Sequence, residues 1–252
     1  MGRLKAITDR RPTLKERSEM AHAQRWHDRK VQLRIGSMVA LLVLLALNVF
    51  VVPFTVVPGS AFARILRDVL LSMILVSGLA TISDHRRLFV ATALICGLAI
   101  LVHWTGWFYP PGKTPGLLDE TALFALGILC MVIGIKVFSA GTVTFDRILG
   151  AIALYVLIGV VWAEAYQLVS IRVPDAYAGI AGGSGSQDRA SWIYLSFVTL
   201  TIVGYGDITP VAHAARSLAI LEALIGQLYP AIVLARLVSL HVAGGGSDTG
   251  GT

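Results

Sequence analysis

The stretch Thr199-Leu200-Thr201-Ile202-Val203-Gly204-Tyr205-Gly206-Asp207 decides how this chain is read. Glycines at alternate positions let a strand hold conformations closed to most side chains, since Gly204 and Gly206 tolerate them without steric penalty. The backbone can then turn a row of carbonyl oxygens, those of Ile202, Val203, Gly204 and Tyr205, toward one axis. Taking a cation out of water into a low-dielectric passage is costly unless such oxygens replace its hydration shell. Tyr205 then points away from the ion and braces the stretch from behind.

Together with its surroundings this stretch resembles the selectivity filter of tetrameric potassium channels, and the similarity extends over residues 145–242. Residues 192–200 resemble that family's pore helix, and Ile208-Thr209-Pro210 its outer mouth. Ala163-Glu164-Ala165 resembles the outer end of the outer helix in voltage-gated members, and Gly226, 22 residues after Gly204, the gating glycine of the inner helix. The resemblance implies a potassium-selective channel that conducts passively through a homotetrameric pore. It assigns Thr201, Ile202, Val203, Gly204, Tyr205, Gly206 and Asp207 to the filter, with potassium held by the carbonyls of Ile202 to Tyr205.

Glu164, Tyr194, Thr199 and Glu222 are the expected filter supports, and Glu164, Tyr194 and Glu222 each have a plainer reading beside that one. Glu164 is either a carboxylate bonded behind the filter or an interfacial acid. Glu222 either bonds pore-helix hydroxyls or faces the cavity, and Tyr194 either packs on the filter Tyr or is an ordinary core aromatic. Gly226 is a gating hinge or a close-packing glycine; Pro230, which removes a helical hydrogen bond, marks a bend one turn further on. Ile202 departs from the family pattern, which has Thr there with its hydroxyl on the innermost ion site.

Of the 252 residues 56% are hydrophobic and 14% charged, which excludes an ordinary soluble domain. Crossing about 30 Å of hydrocarbon takes about 20 apolar residues, and six runs approach that length: 35–52, 64–82, 88–105, 118–138, 146–169 and 214–241. The expected fold is an all-α membrane protein with six transmembrane helices plus a re-entrant pore helix, near 190–201, and a selectivity filter. A helix that short survives at membrane depth only inside protein or beside a water-filled pore.

Residues 1–34 carry ten Lys or Arg against four Asp or Glu, which puts the N terminus in the cytoplasm. Alternation puts the C terminus there too, in an inner or plasma membrane. His103, Trp104, Trp107, Phe108 and Tyr109 form an expected aromatic belt at the outer face. No cleaved leader is expected. Cys96 and Cys130 read as packing residues.

Four parts follow along the chain. Residues 1–33 are a basic cytoplasmic segment suited to anionic lipid, and 34–139 a four-helix transmembrane bundle. Residues 140–242 form the pore domain, with a flexible turret at 172–189, and 243–252 a disordered low-complexity tail from which no regulatory domain is expected. The fourth span bears Asp119, Glu120 and Lys136 but no arginine at every third position. Steep voltage gating needs about three or four such charges per subunit, so the bundle is sensor-like in span count only and voltage dependence should be shallow. Arg64 and Arg67, beside Asp68, reach outer headgroups, and Arg236 should snorkel to the inner interface.

Two rivals stand beside the channel reading. A potassium-uptake transporter subunit would usually carry four degenerate filter repeats, where this chain has one. A nonconducting regulatory subunit is suggested by Ile202 and Pro230. No nucleophile with its base, metal cluster or phosphate loop can be assembled, so no enzyme is expected. Nor is any cofactor expected beyond permeant potassium; the partners are further copies of the chain and lipid, not nucleic acid.

Overall fold

The computed structural model describes residues 37–55, 60–81, 86–105, 115–139, 145–180 and 189–245, all within the compact unit Ser37–Thr252. The basic N-terminal segment, Trp107, Phe108 and Tyr109 of the aromatic belt, residues 140–144 and the glycine-rich part of the turret lie outside the described residues.

The chain is an all-α membrane protein. Helix α1 (Ser37–Val51) ends in a π-helical turn, Leu47–Val51, and runs on into Val52–Thr55. Pro53 has no N–H for an ordinary i−4 bond, and just before it the Val52 amide reaches back five residues to the Leu47 carbonyl. Helix α2 (Ala61–Ala80) starts at Ser60, whose hydroxyl accepts from the Ala63 amide at 3.1 Å, an N-cap bond. Then come α3 (Arg86–Thr105), α4 (Pro115–Val137), α5 (Phe145–Arg172), β1 (Tyr177–Ala178), α6 (Arg189–Leu200), β2 (Thr209–Pro210) and α7 (His213–Gly245).

Four of these, α3, α4, α5 and α7, are long and apolar enough to cross a membrane. The other two expected spans differ for visible reasons: α1 is short, and α2 carries Arg64, Arg67 and Asp68. Asp68 is buried and takes a 3.4 Å bond from Arg67 Nε, so this pair is not simply displayed to headgroups. Helix α7 also continues to Gly245, three residues into the stretch expected to be a disordered tail.

One apolar core runs through the unit. Leu41 and Leu45 of α1, Ile74 and Leu75 of α2, Leu126, Leu129 and Ile133 of α4, and Leu154 and Leu157 of α5 share it with Trp192, Leu195 and Leu200 of α6. Small residues let these helices approach. A Cβ on Gly78 would stand 2.6 Å from the Leu129 side chain, and one on Gly159 would stand 2.7 Å from the Phe197 ring. Cys96 is buried and Cys130 half-buried, and both are free thiols.

At one end of the molecule cations close helix C-termini. Lys136 donates to the Thr81 carbonyl after α2, and Arg236 of α7 donates to Phe138 O at 2.6 Å and to Ser139 O, just past the end of α4. The guanidinium also lies 5.7 Å from the centre of the Phe138 ring. Arg236 therefore does not snorkel free. Unpaired carbonyls at a helix end and the negative end of its dipole offer it a better partner.

Candidate functional site

Helix α6 has 12 residues and packs between α5 and α7. An α-helix leaves its last four carbonyls without intrahelical donors, and here the following loop supplies them. Thr201 N donates to Phe197 O at 3.0 Å, Ile202 N to Thr199 O at 3.0 Å, and Val203 N and Gly204 N to Val198 O at 3.0 and 3.3 Å. The last carbonyl, Leu200 O, accepts from the Tyr155 hydroxyl of α5 at 3.3 Å.

The amides of residues 201–204 are thus turned back onto α6. Among the described residues no donor meets the carbonyls of residues 201–206. The backbone alternates: φ is +61° at Ile202, +56° at Gly204 and +76° at Gly206, with Val203 and Tyr205 on the negative side. Alternation of left- and right-handed residues sets successive N–H groups on one side of a chain and carbonyls on the other. Left-handed backbone is free for the two glycines. For β-branched Ile202 it costs about 1–2 kcal/mol, a strained position that glycine spacing alone did not reveal.

The other face of α6 is held by a buried polar cluster. Glu222 of α7 is fully buried and accepts from the Tyr166 hydroxyl of α5, while the Ser196 hydroxyl of α6 lies against both its carboxylate and Gly159 O, the latter at 2.8 Å. The sequence offered pore-helix hydroxyls or the cavity for Glu222; in this single chain its carboxylate meets the Ser196 hydroxyl of α6. Tyr166 also stands edge-on to Tyr177 of β1 at 5.9 Å, and Tyr177 packs on Trp192 at 5.0 Å. Burial pushes the Tyr177 phenol up from its ordinary pKa, with the Glu222 charge adding to it.

Glu164, the second acidic residue among the expected supports, points elsewhere. Its carboxylate pairs with Arg189 at 2.6 Å, at the start of α6 rather than behind the loop that follows it. Both groups are largely removed from water, and a buried carboxylate needs the nearest cation. Thr199 donates within its own helix to Leu195 O at 2.8 Å. Tyr194 lies parallel to Tyr205, with rings 6.4 Å apart and 3° between planes. Its hydroxyl bonds Asp207, and this bond, with the Ile208 amide, holds the Asp207 carboxyl below the usual carboxylate range against the opposing effect of desolvation.

The far side of the loop is clamped. β1 pairs antiparallel with β2, Tyr177 opposite Pro210 and Ala178 opposite Thr209, and the Val211 amide donates to Ala176 O at 2.8 Å. Gly179, at φ +87°, lies so close to the Asp207 carbonyl that no Cβ fits. Residues 173–180 of the expected flexible turret are therefore an ordered brace, because only a fixed backbone can pair with the strand leaving the loop.

Gly226 also has a contact duty. A Cβ there would run into the Leu200 carbonyl, 2.8 Å from its carbon. Helix α7 is helical through both Gly226 and Pro230, and Pro230 leaves the Gly226 carbonyl without its i+4 donor. Tyr166, Ser196, Tyr155, Tyr177, Gly179 and Arg189 were missed in the sequence. Ser196, one turn before Thr199 on the helix face turned to α7, carried the one available signal.

Helix α6, the loop of unbonded carbonyls after it, and the long helices α5 and α7 that hold them form one packed unit of this membrane protein. Residues 151–242 match the family described as Ion channel. Protein LctB of Bacillus caldotenax is 30% identical over 125 residues, covering 48% of this chain and 92% of that protein. Protein LctB of Geobacillus stearothermophilus is 52% identical over 46 residues, 18% of this chain and 34% of that one. No solved structure matches. The chain belongs to the ion-channel family.

Proposed function

We propose that four copies of this chain assemble around one axis as a potassium-selective channel of an inner or plasma membrane, with loop 201–207 of each copy forming the selectivity filter. The observation that carries this reading is the loop itself. The amides of residues 201–204 are consumed by α6, no donor among the described residues meets the carbonyls of 201–206, and alternate residues hold positive φ. Unpaired backbone acceptors are a cost unless something else meets them, and a row of dehydrating cations does so.

Assembly follows from exposure. Val203 is 52% and Tyr205 72% exposed in a single chain, although Tyr205 is large and apolar enough to be covered; neighbouring copies supply that cover. Ions pass by knock-on between carbonyl cages. The inner-helix bend falls at Pro230, below the fixed Gly226 contact, and voltage dependence is shallow for want of a charge ladder.

Purified protein in planar bilayers under opposed potassium and sodium gradients tests this. The reversal potential should follow potassium, and Gly204→Ala or Gly206→Ala should abolish that preference. Equal permeability to both ions in the unmutated protein overturns potassium selectivity, and an assembled protein that passes no ions leaves the nonconducting subunit in its place.

A further inference from the structure

Helix α7 is apolar along its open side, with Ile220, Leu224, Leu228, Ile232 and Leu234 exposed. Among the described residues 218–238, one polar side chain is exposed, that of Gln227. It has no hydrogen-bond partner in its own chain among the described residues, whereas the other polar side chains of this stretch, Glu222, Tyr229 and Arg236, are all bonded.

The height of Gln227 is fixed by its neighbour. Gly226 packs against the Leu200 carbonyl, and Leu200 ends α6 two residues before Ile202. Gln227 therefore leaves α7 at the base of the loop, where Ile202 has no hydroxyl to offer. With Ile220, Leu224, Ala231 and Leu234 it forms one stripe at spacings of three and four. An amide facing hydrocarbon loses its hydrogen bonds with nothing in return, so this stripe belongs on the water-filled side.

Resting on the channel reading above, we propose that the Gln227 side chains of the assembled copies line the vestibule directly beneath the loop. Their amide oxygens, together with water, complete the shell of a partly hydrated monovalent cation at the position Ile202 leaves bare. Gln227 thus sets the ease with which ions pass between vestibule and loop. It is a positioning residue for the permeant ion, and a cytoplasmic divalent cation would compete for the same oxygens.

The test uses the full chain reconstituted in planar bilayers, with three variants. Gln227→Leu should lower unitary potassium conductance several-fold while potassium selectivity, set by the loop, persists. Gln227→Glu keeps the shape and adds charge, so half-block by cytoplasmic magnesium should occur at about tenfold lower concentration or less. Gln227→Cys should react with a membrane-impermeant cationic thiol reagent from the cytoplasmic side and lose current, with the unmutated protein, which keeps Cys96 and Cys130, as control. If the Leu variant fails to assemble, the Glu and Cys variants decide. Potassium-selective current with unaltered magnesium block in the Glu variant and an inert Cys variant overturns the vestibule site and leaves the channel reading standing. Absence of selective current in the unmutated protein overturns both.

Discussion

Replacing Gly226 by Ala separates two roles for this glycine by the sign of one number. The added methyl would sit 2.8 Å from the Leu200 carbonyl carbon and 3.1 Å from its α-carbon, closer still to the oxygen. Both sides are backbone, and the end of α6 is held by the loop amides and by Tyr155, so no side chain can swing aside. Restoring ordinary van der Waals contact with that oxygen, about 3.5 Å, means parting α6 and α7 by about 1.5 Å. Overpacking of this kind costs about 1–3 kcal/mol, here at the upper end. The gain in helix propensity from Gly to Ala is about 1 kcal/mol, which leaves a net loss of about 2 kcal/mol per chain.

A pure hinge glycine predicts the reverse, a stiffer and slightly more stable helix. Gly127 of α4 is the matched control, since a Cβ there meets nothing within 4 Å. Thermal unfolding of the detergent-solubilised protein should rank Gly127→Ala at or above the unmutated chain and Gly226→Ala clearly below it. If Gly226→Ala is as stable as Gly127→Ala, the close contact with Leu200 is not what fixes glycine at this position.

Arg236→Ala removes two bonds to carbonyls and the contact with the Phe138 ring; because the guanidinium is partly exposed and water replaces part of what is lost, the expected cost is about 1–2 kcal/mol. Hydrogen exchange should accelerate at the end of α4 and along the last turns of α7, and unchanged protection there would refute the attachment. At the end of the loop Asp207 has a depressed folded pKa. Its stabilising contribution is therefore present above the ordinary Asp pKa and is lost as pH falls through the lowered value. Tyr194→Phe should move the acid inflection of the current, titrated from the outer side, upward toward the ordinary Asp range, and an inflection that stays put disproves the bond's role.

The helices were legible because apolar runs of membrane length permit little else, and the loop because glycines two apart announce unusual backbone. What failed to show were contacts set by helix rotation and by distant backbone. Glu164 and Tyr166 are two residues apart, hence on nearly opposite faces of α5. Nothing in the string said that the tyrosine rather than the acid would meet Glu222. The fit of Gly179 against Asp207 joins residues far apart in sequence, and neither half hints at it. Ile202 concealed its positive φ because a β-branched residue is the last one would place there.

The Glu222, Tyr166 and Ser196 cluster restricts how relatives of this chain can diverge. Losing the carboxylate alone strands the Tyr166 hydroxyl inside the protein, although Ser196 keeps Gly159 O, and losing a hydroxyl alone leaves a carboxylate short of donors, each a step that selection removes. An apolar version of the same space is attainable, but it requires changes on three separate helices, α5, α6 and α7, before the first of them is tolerated. Descendants should accordingly keep all three side chains or replace all three, and chains holding a mixture should be scarce.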